Sequence, residues 1–302
     1  MKKGKNLLPC PRSFFPVKPA MNQSTETVAI VGVGLLGGSI GLALRERGLA
    51  RRVIGIGRQA SRLQQARRRG AVTETTTSLS RGVAEADLVV VCTPVDNVVD
   101  HVCAVAKEAG PGTLITDVGS TKAQIVSELK ERLPAAVRFV GSHPLAGGEK
   151  AGVKFAHPDL FQDRLTILTP GPQSRRQDVS QISRFWQSLG ARVIQMPPRE
   201  HDQQIATISH LPHVLAALLA AGTAADQLPL AGPGWLDTTR VAAGDVQLWR
   251  QIFQQNKVHV LKSVDKFAQL LTSFREALDK DDVREITRLL ETGKKHRDSV
   301  GN

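Results

Sequence analysis

The sequence predicts an α/β protein: a doubly wound, mostly parallel sheet in an N-terminal domain, followed by an all-α C-terminal domain. Short apolar segments with β propensity alternate with helical segments along the first two thirds of the chain, the pattern of a parallel sheet covered by helices. A glycine-rich motif directly follows the first of these strands. Beyond about residue 200, only helical patterns continue.

The first strand covers residues 28–31, and the motif after it has the spacing G-x-G-x-x-G before an apolar helix. The motif residues expected to contact a cofactor are Gly32, Gly34, Leu35, Leu36 and Gly37. We expect Gly32 to allow a tight turn, Gly34 to admit a pyrophosphate close to the backbone, and Gly37 to let helix and strand pack closely. The helix N-terminus favours phosphates. The motif therefore predicts a Rossmann-type dinucleotide site; the alternative is an ordinary glycine-rich turn.

The end of the second predicted strand bears on the choice of coenzyme. NAD-binding folds usually carry an acidic residue there, which holds the ribose 2′-hydroxyl. This chain has Gly57 at that place, followed by Arg58 and Ser61. Arg58 can pair with a 2′-phosphate and Ser61 can hydrogen-bond to it. The sequence therefore favours NADP, with NAD possible; alternatively, Arg58 is a surface charge that stacks on adenine and sets no preference.

The remaining strands place further candidate residues at the same edge of the sheet. Strands are predicted over residues 87–94, 112–117, 138–141, 166–170 and 191–196, and helices over 61–70, 95–109, 121–132 and 175–189. Because ligands lie beyond the carboxyl ends of parallel strands, we expect Thr93 and Pro94 to contact the cofactor. His143 follows another strand end, on a glycine-rich loop. It is a candidate catalytic residue, and the alternative is a hydrogen-bonded structural histidine.

The chain divides into three parts. Residues 1–26 are predicted to be a disordered extension interrupted by prolines, 27–198 a dinucleotide-binding domain, and 199–302 a helical substrate and dimerisation domain. Leu211–Ala221 is apolar on all sides, which predicts burial. Amphipathic helices are predicted over residues 247–276 and 281–296. The leucines that this domain cannot easily cover alone are Leu215, Leu218 and Leu219. They suggest a homodimer.

Composition limits the possible partners. The 302 residues carry a formal net charge of +12, which favours anionic partners such as a phosphate-bearing cofactor and a carboxylate substrate. Aromatic residues make up only 4% and there is no tyrosine, so a nucleic-acid partner is not predicted. The three cysteines form no C-x-x-C motif, which argues against a metal site and favours a cytoplasmic protein. No uninterrupted apolar run reaches a membrane span.

Five motifs give the chain a resemblance to a known family. They are Gly32-x-Gly34-Leu35-Leu36-Gly37-Gly38-Ser39, Asp117-Val118-Gly119-Ser120-x-Lys122, His143-Pro144-x-Ala146-Gly147, Ser209-His210-Leu211-Pro212-His213 and Asp237-Thr238-Thr239-Arg240. The first occurs in many dehydrogenases, whereas the other four together are specific. In order and spacing, the sequence resembles the prephenate/arogenate (cyclohexadienyl) dehydrogenases of tyrosine biosynthesis from about Val28 to about Arg250.

The resemblance implies an oxidative decarboxylation of a cyclohexadiene. Prephenate would yield 4-hydroxyphenylpyruvate, and arogenate would yield tyrosine, as a hydride passes to the nicotinamide and CO₂ leaves. His143 matches the family's proton acceptor, a task that suits a neutral imidazole at neutral pH. Ser120 matches the serine that hydrogen-bonds this histidine and the substrate hydroxyl. Ser120 could instead, or in addition, be the N-cap of the helix predicted near 121–132.

The resemblance also assigns the substrate-binding residues. Arg240 matches the arginine that binds a substrate carboxylate, for which the planar guanidinium fork is suited. The other matched residues are His213, Ser209 and Trp249, which line the substrate site in the family, and Glu149 and Asp237, which lie near its mouth. Two departures from the family pattern, at Gly148 and at residues 234–236, leave the choice between prephenate and arogenate open. Two other hypotheses stay open here: another NADP-linked oxidoreductase with a helical second domain, and a non-catalytic binder of nucleotides or nucleic acid.

Overall fold

A single twisted sheet organises the N-terminal part of the molecule. The computed structural model describes residues 25–301. Its strands are β1 (Thr25–Val31), β2 (Ala50–Ile56), β3 (Glu74–Thr76), β4 (Leu88–Val91), β5 (Leu114–Asp117), β6 (Arg138–Pro144), β7 (Leu165–Thr169) and β8 (Arg192–Gln195). They lie in the order β3-β2-β1-β4-β5-β6-β7-β8. All neighbours are parallel except β6 and β7. The predicted doubly wound, mostly parallel sheet is confirmed.

Six helices accompany the sheet and six more follow it in the described part of the chain. Those of the sheet region are α1 (Leu35–Glu46), α2 (Ala60–Arg68), α3 (Leu79–Val83), α4 (Val98–Glu108), α5 (Ala123–Arg132) and α6 (Arg176–Ser188). The later ones are α7 (Pro198–Ile205), α8 (Leu211–Gly222), α9 (Pro233–Thr239), α10 (Val246–Gln255), α11 (Lys257–Asp279) and α12 (Val283–Ser299). The predicted all-α C-terminal region is confirmed. Residues 1–24 of the predicted extension lie outside the described residues, whereas Thr25 and Glu26 belong to β1.

The core lies on both faces of the sheet. Successive residues of a strand point to opposite faces, and in β1 Val28 and Ile30 pack in one apolar cluster while Ala29 and Val31 pack in the other. A strand buried on both faces has a continuous apolar sequence instead of an alternating one. The buried Trp186 of α6 anchors the first cluster. This double burial fixes the strand ends that carry the candidate site.

Three sequence-based expectations about the elements need correction. The short elements β3 and α3 were not predicted. The helix predicted over 247–276 is interrupted at Asn256. The expectation that Leu211–Ala221 is buried on all sides is wrong for a single chain, because only His213 and Ala216 of α8 are buried. The exposed Leu218 and Leu219 keep the homodimer as a prediction.

The helices α7 and α8 form one continuous helix over Pro198–Gly222, joined by a π-helical turn at Ala206–His210. Its most apolar 18-residue window has a mean hydropathy of 1.5, so by length and composition this helix could cross a membrane. However, His201 and Asp202 within it are buried and hydrogen-bonded to residues of the sheet region. We therefore interpret it as a helix that packs on the sheet region through its N-terminal part, and the absence of a membrane partner stays a prediction. A π-helical turn is often found at a functional site.

Candidate active site

The glycine-rich motif forms a tight turn from β1 into α1. Gly32 has a φ of +95°, and a Cβ there would lie 2.8 Å from the Cys92 carbonyl oxygen. A Cβ on Gly37 would lie 2.9 Å from Ile30 Cγ2. Gly34 precedes the N-terminus of α1, and a Cβ there would meet no atom within 4 Å. The backbone is thus closely packed on the protein side and open on the outer side, which fits a bound pyrophosphate.

The neighbouring strand ends carry the other predicted cofactor residues. Arg58 and Ser61 are exposed directly after β2, and Pro94 is exposed after β4. The Thr93 hydroxyl shares a hydrogen bond of 3.1 Å with His101 Nδ1 of α4. Because β2, β1 and β4 are parallel neighbours, all of these residues and the glycine turn lie at one edge of the sheet. Among the described residues, Arg58 forms no ion pair.

His143 lies within β6 and not after it, opposite Ile167 of the antiparallel strand β7. The residue is 8% exposed. The Nδ1 atom of His143 and the Nε2 atom of His201 share a hydrogen bond of 2.8 Å. The Nδ1 atom of His201 and the Oδ1 atom of Asp202 are also 2.8 Å apart. The candidate catalytic histidine is therefore the end of a buried three-residue chain.

Sequence reasoning missed His201 and Asp202. Both lie on α7, eight or fewer residues before Ser209 on the same continuous helix. An adjacent histidine and aspartate would have marked this helix turn only if their burial had been anticipated, because polar residues on an amphipathic helix are normally assigned to its solvent face. The fold instead places His201 against β6 and Asp202 against the N-terminus of α5.

The carboxylate of Asp202 also caps α5. Its Oδ1 accepts a hydrogen bond of 2.8 Å from the Lys122 backbone N–H, and its Oδ2 accepts one of 2.9 Å from that of Ala123. The prediction that Ser120 is the N-cap is therefore wrong, because α5 begins at Ala123 and a side chain from another helix satisfies its N-terminus. Ser120 lies half-buried in the loop before α5 and stays a candidate for contact with the substrate.

A buried ion pair joins the same loop to the sheet. Lys122 Nζ contacts Asp117 Oδ2, and neither side chain is exposed. Asp117 also accepts hydrogen bonds from the backbone N–H groups of Gly119, at 2.8 Å, and Ser142, at 3.2 Å. Burial lowers the pKa of Lys122, and the Asp117 carboxylate opposes that shift. The pair fixes the backbone on both sides of the site, at Ser120 and at His143.

Burial keeps the histidines of this region neutral. Desolvation lowers the pKa of His143 well below its ordinary value of 6.5, and His201, Lys122 and His210 lower it further. The pKa of His201 is lowered by burial although Asp202 raises it. Burial lowers the pKa values of His210 and His213 to about 4. A neutral imidazole can accept a proton, so His143 is in the protonation state that a general base requires.

The predicted substrate residues form two contacts. The rings of His213 and Trp249 stack with their centroids 3.6 Å apart. Arg240 forms an ion pair with Glu149, and the two side chains are 64% and 28% exposed. Asp237 is exposed on α9, and Ser209 is half-buried in the π-helical turn, four residues before His213. No cluster of potential metal ligands occurs within residues 25–301.

Comparison with known proteins then decides the family. One family model, the nucleotide-binding domain of prephenate dehydrogenase, matches residues 40–195, and a second, the dimerisation domain of prephenate dehydrogenase, matches residues 197–292. The chain belongs to the prephenate dehydrogenase family. His143 lies in the nucleotide-binding domain of the family, whereas His201 and Asp202 lie in its dimerisation domain. The candidate site is therefore assembled by both.

Individual members of the prephenate dehydrogenase family agree with this assignment. The prephenate dehydrogenase of Bacillus subtilis is 34% identical over 287 residues, which cover 93% of this chain and 77% of the relative. The crystal structure of prephenate dehydrogenase from A. aeolicus in complex with hydroxyphenyl propionate and NAD⁺ superposes with a TM-score of 0.85 at 30% identity, covering 92% of this chain and 99% of that one. The Synechocystis arogenate dehydrogenase gives 0.77 at 29% identity, covering 91% and 99%.

Proposed function

We propose that this protein catalyses the NAD(P)-dependent oxidative decarboxylation of prephenate to 4-hydroxyphenylpyruvate, with conversion of arogenate to tyrosine as the second candidate reaction. The observation that carries the proposal is the position of a neutral, buried His143 in the family's nucleotide-binding domain, with one ring nitrogen held by His201. Relatives named for each of the two substrates support the pair of candidates.

The chemistry at the ring requires a proton acceptor. His143 takes the proton of the substrate hydroxyl as the carbinol carbon loses its hydride. The bond to the ring carboxylate then breaks, its electron pair passes through the ring to the oxygen, and CO₂ leaves. The oxygen regains a proton from His143, so the product is a phenol and the histidine returns to its neutral form. Ser120, in the loop before α5, is proposed to orient the hydroxyl.

The substrate's carboxylates and side chain need partners of their own. Arg240 is proposed to bind a carboxylate through its planar fork, in exchange for its present ion pair with Glu149. Trp249, His213 and Ser209 are proposed to line the substrate site around the ring and side chain. Asp237 and Glu149 are proposed to lie at its mouth. Because prephenate carries a keto group where arogenate carries an amino group, the choice between them rests on contacts at that end.

The cofactor is proposed to be NADP, with NAD as the alternative. When bound, the nicotinamide supplies the hydride acceptor. The proposed phosphate contacts are the backbone of the glycine turn and the N-terminus of α1. Leu35, Leu36, Thr93 and Pro94 are proposed as further contacts to the cofactor. The open surface at Gly34 fits a pyrophosphate. Arg58 is exposed, forms no ion pair within residues 25–301 and lies three residues before Ser61 in the sequence, and no acidic residue occupies the end of β2. A 2′-phosphate would therefore meet a cation and a hydroxyl.

The assembly and its location are proposals as well. Exposed leucines on α8, together with the match to a dimerisation domain, support a homodimer. The free thiols Cys92 and Cys103 support a reducing, cytoplasmic setting. Sedimentation equilibrium of the purified protein tests the dimer, and a monomer at micromolar concentration would contradict it.

The activity is tested by supplying prephenate or arogenate with NADP⁺ or NAD⁺ and following coenzyme reduction. The substitution His143→Asn should lower kcat by about 10²–10⁴-fold, the usual contribution of a general base, while KM for the substrate changes little. His296→Asn, on an exposed position of α12, is the matched control. Turnover of neither substrate would refute the proposed reaction, and near-normal turnover by His143→Asn would refute the assignment of the base.

A further inference from the structure

The carboxylate of Asp202 can only accept hydrogen bonds. Its oxygens accept the backbone N–H groups of Lys122 and Ala123 and face Nδ1 of His201 at 2.8 Å. These donors hold the carboxylate ionised: burial alone would raise its pKa, but the hydrogen bonds from His201, Ala123 and Lys122 lower it below the ordinary value. Because an ionised carboxylate has no proton to donate, the Nδ1 atom of His201 must carry the hydrogen of this bond.

The proton on His201 determines the proton on His143. A neutral imidazole carries one N–H, so a hydrogen on Nδ1 of His201 leaves its Nε2 as a bare acceptor. That acceptor lies 2.8 Å from Nδ1 of His143, which must therefore be the donor. The Nε2 atom of His143 is then left with its lone pair. We propose that Asp202 and His201 are positioning residues that hold His143 as its Nδ1–H tautomer, so that Nε2 accepts the substrate's hydroxyl proton.

The surroundings of His143 leave that nitrogen available. Its Nε2 makes no hydrogen bond with any of residues 25–301, and it is not among the buried polar atoms that lack a partner, so it is not sealed inside the protein. The charged and titratable groups facing the pair are the Lys122–Asp117 ion pair in the loop before α5 and His210 in the π-helical turn. The inference rests on the proposed function of His143 as the base.

The opposite arrangement is unfavourable. If Nε2 of His143 carried the hydrogen, its Nδ1 would need a donor on His201, and a neutral His201 would then present a bare Nδ1 to Asp202. Two acceptors 2.8 Å apart without a hydrogen between them repel each other. Only a doubly protonated His201 avoids this contact, and burial disfavours its charge. Once His143 has accepted the proton on Nε2, its Nδ1–H still donates to His201, so the hydrogen-bond chain to the Asp202 carboxylate stays intact.

Two substitutions of His201 separate this role from simple packing. In His201→Gln, the acceptor-only Asp202 should draw the amide nitrogen toward itself and leave the amide oxygen facing Nδ1 of His143, which preserves the tautomer. In His201→Leu, no acceptor remains. We expect kcat of His201→Leu to fall by about 10²-fold, the lower end of a general-base contribution. We expect His201→Gln to stay within about ten-fold of the wild type, and KM to change little in either variant.

The tautomer itself can be read by ¹⁵N NMR of protein labelled at the histidine rings, at neutral pH. The resonances of His143 are identified by their loss in His143→Asn. The expected spectrum has a hydrogen on Nδ1 and a bare Nε2, and His201→Leu should lose this preference. A wild-type spectrum with the hydrogen on Nε2 overturns the inference, as does equal turnover of the Leu and Gln variants. If His143→Asn keeps its turnover, the proposed function fails instead, whichever tautomer the spectrum shows.

Discussion

The imidazole of His213 and the indole of Trp249 stack nearly parallel, with ring centroids 3.6 Å apart and an interplanar angle of 13°. Gly244 lies against both rings. A Cβ on this glycine would lie 2.8 Å from Trp249 Nε1 and 3.3 Å from His213 Cε1. The φ of Gly244 is −66°, which any residue can adopt, so an alanine there would act through its side chain alone. The stack can therefore be displaced without altering either ring.

We predict that Gly244→Ala raises KM for the substrate by at least about five-fold, because overpacking a close contact costs about 1 kcal/mol or more and would move the proposed lining of the substrate cavity. Steady-state kinetics with a saturating coenzyme measure the effect. Gly293→Ala is the matched control, because its added Cβ meets nothing within 4 Å on α12. An unchanged KM in Gly244→Ala would place the stack outside the substrate site.

Arg240 provides a second test of the substrate site. We predict that Arg240→Gln raises KM for the substrate about ten-fold or more while kcat changes less, since a hydrogen bond to a charged group contributes about 1.5–3 kcal/mol. The free energy of unfolding should change by less than about 1 kcal/mol, because the ion pair with Glu149 is largely exposed on the arginine side.

Arg288→Gln is the control for Arg240→Gln. Arg288 forms a similarly exposed ion pair with Glu285 on α12 and should leave KM unaltered. If both substitutions had the same small effect on KM, the guanidinium of Arg240 would not contact the substrate.

The coenzyme preference depends on Arg58. We predict that Arg58→Ala lowers kcat/KM for NADP⁺ about ten-fold and leaves kcat/KM for NAD⁺ within about two-fold, because only NADP⁺ carries the phosphate that forms a charge-assisted hydrogen bond. Arg68→Ala, at the exposed C-terminal end of α2, controls for the loss of one positive charge. Equal losses with the two coenzymes would mean that Arg58 stacks on the adenine or contributes only to the overall field.

Much of the fold could be predicted from sequence because the strands of its sheet are buried on both faces. The apolar run at residues 28–31 and the glycine turn after it correspond directly to β1 and the start of α1. The helical C-terminal region could be predicted for the same reason, from its periodicity. The details of α8 could not, because an apolar sequence does not say whether its own chain or a second copy covers it.

The chain of residues behind His143 could not be predicted. Asp202 and His201 are adjacent in sequence, but their partners lie about 60 to 80 residues earlier, at His143 and at the N-terminus of α5. Spacing within one helix carries no information about such a contact. The alternative that Ser120 caps α5 failed for the same reason: it was inferred from neighbouring residues, whereas the side chain that caps α5 comes from another helix.

The buried histidines also make a prediction for stability against pH. His210 is 1% exposed, and burial lowers its pKa to about 4. In the unfolded chain a histidine titrates near its ordinary value of about 6.5. Between these two values the unfolded chain binds a proton that the folded protein excludes. The stability contributed by neutral His210 is therefore fully present above pH 6.5 and is lost as the pH falls toward 4.

We predict that the free energy of unfolding of the wild type falls more steeply from pH 6.5 to 4.5 than that of His210→Gln, by up to about 1.4 kcal/mol per pH unit. Urea unfolding at a series of pH values measures both slopes, and carboxylates that titrate in this range affect both proteins alike. His296→Gln removes an exposed histidine from α12 and should keep the wild-type slope. Parallel curves for the wild type and His210→Gln would mean that water reaches the His210 ring and lets it take up a proton in the folded protein.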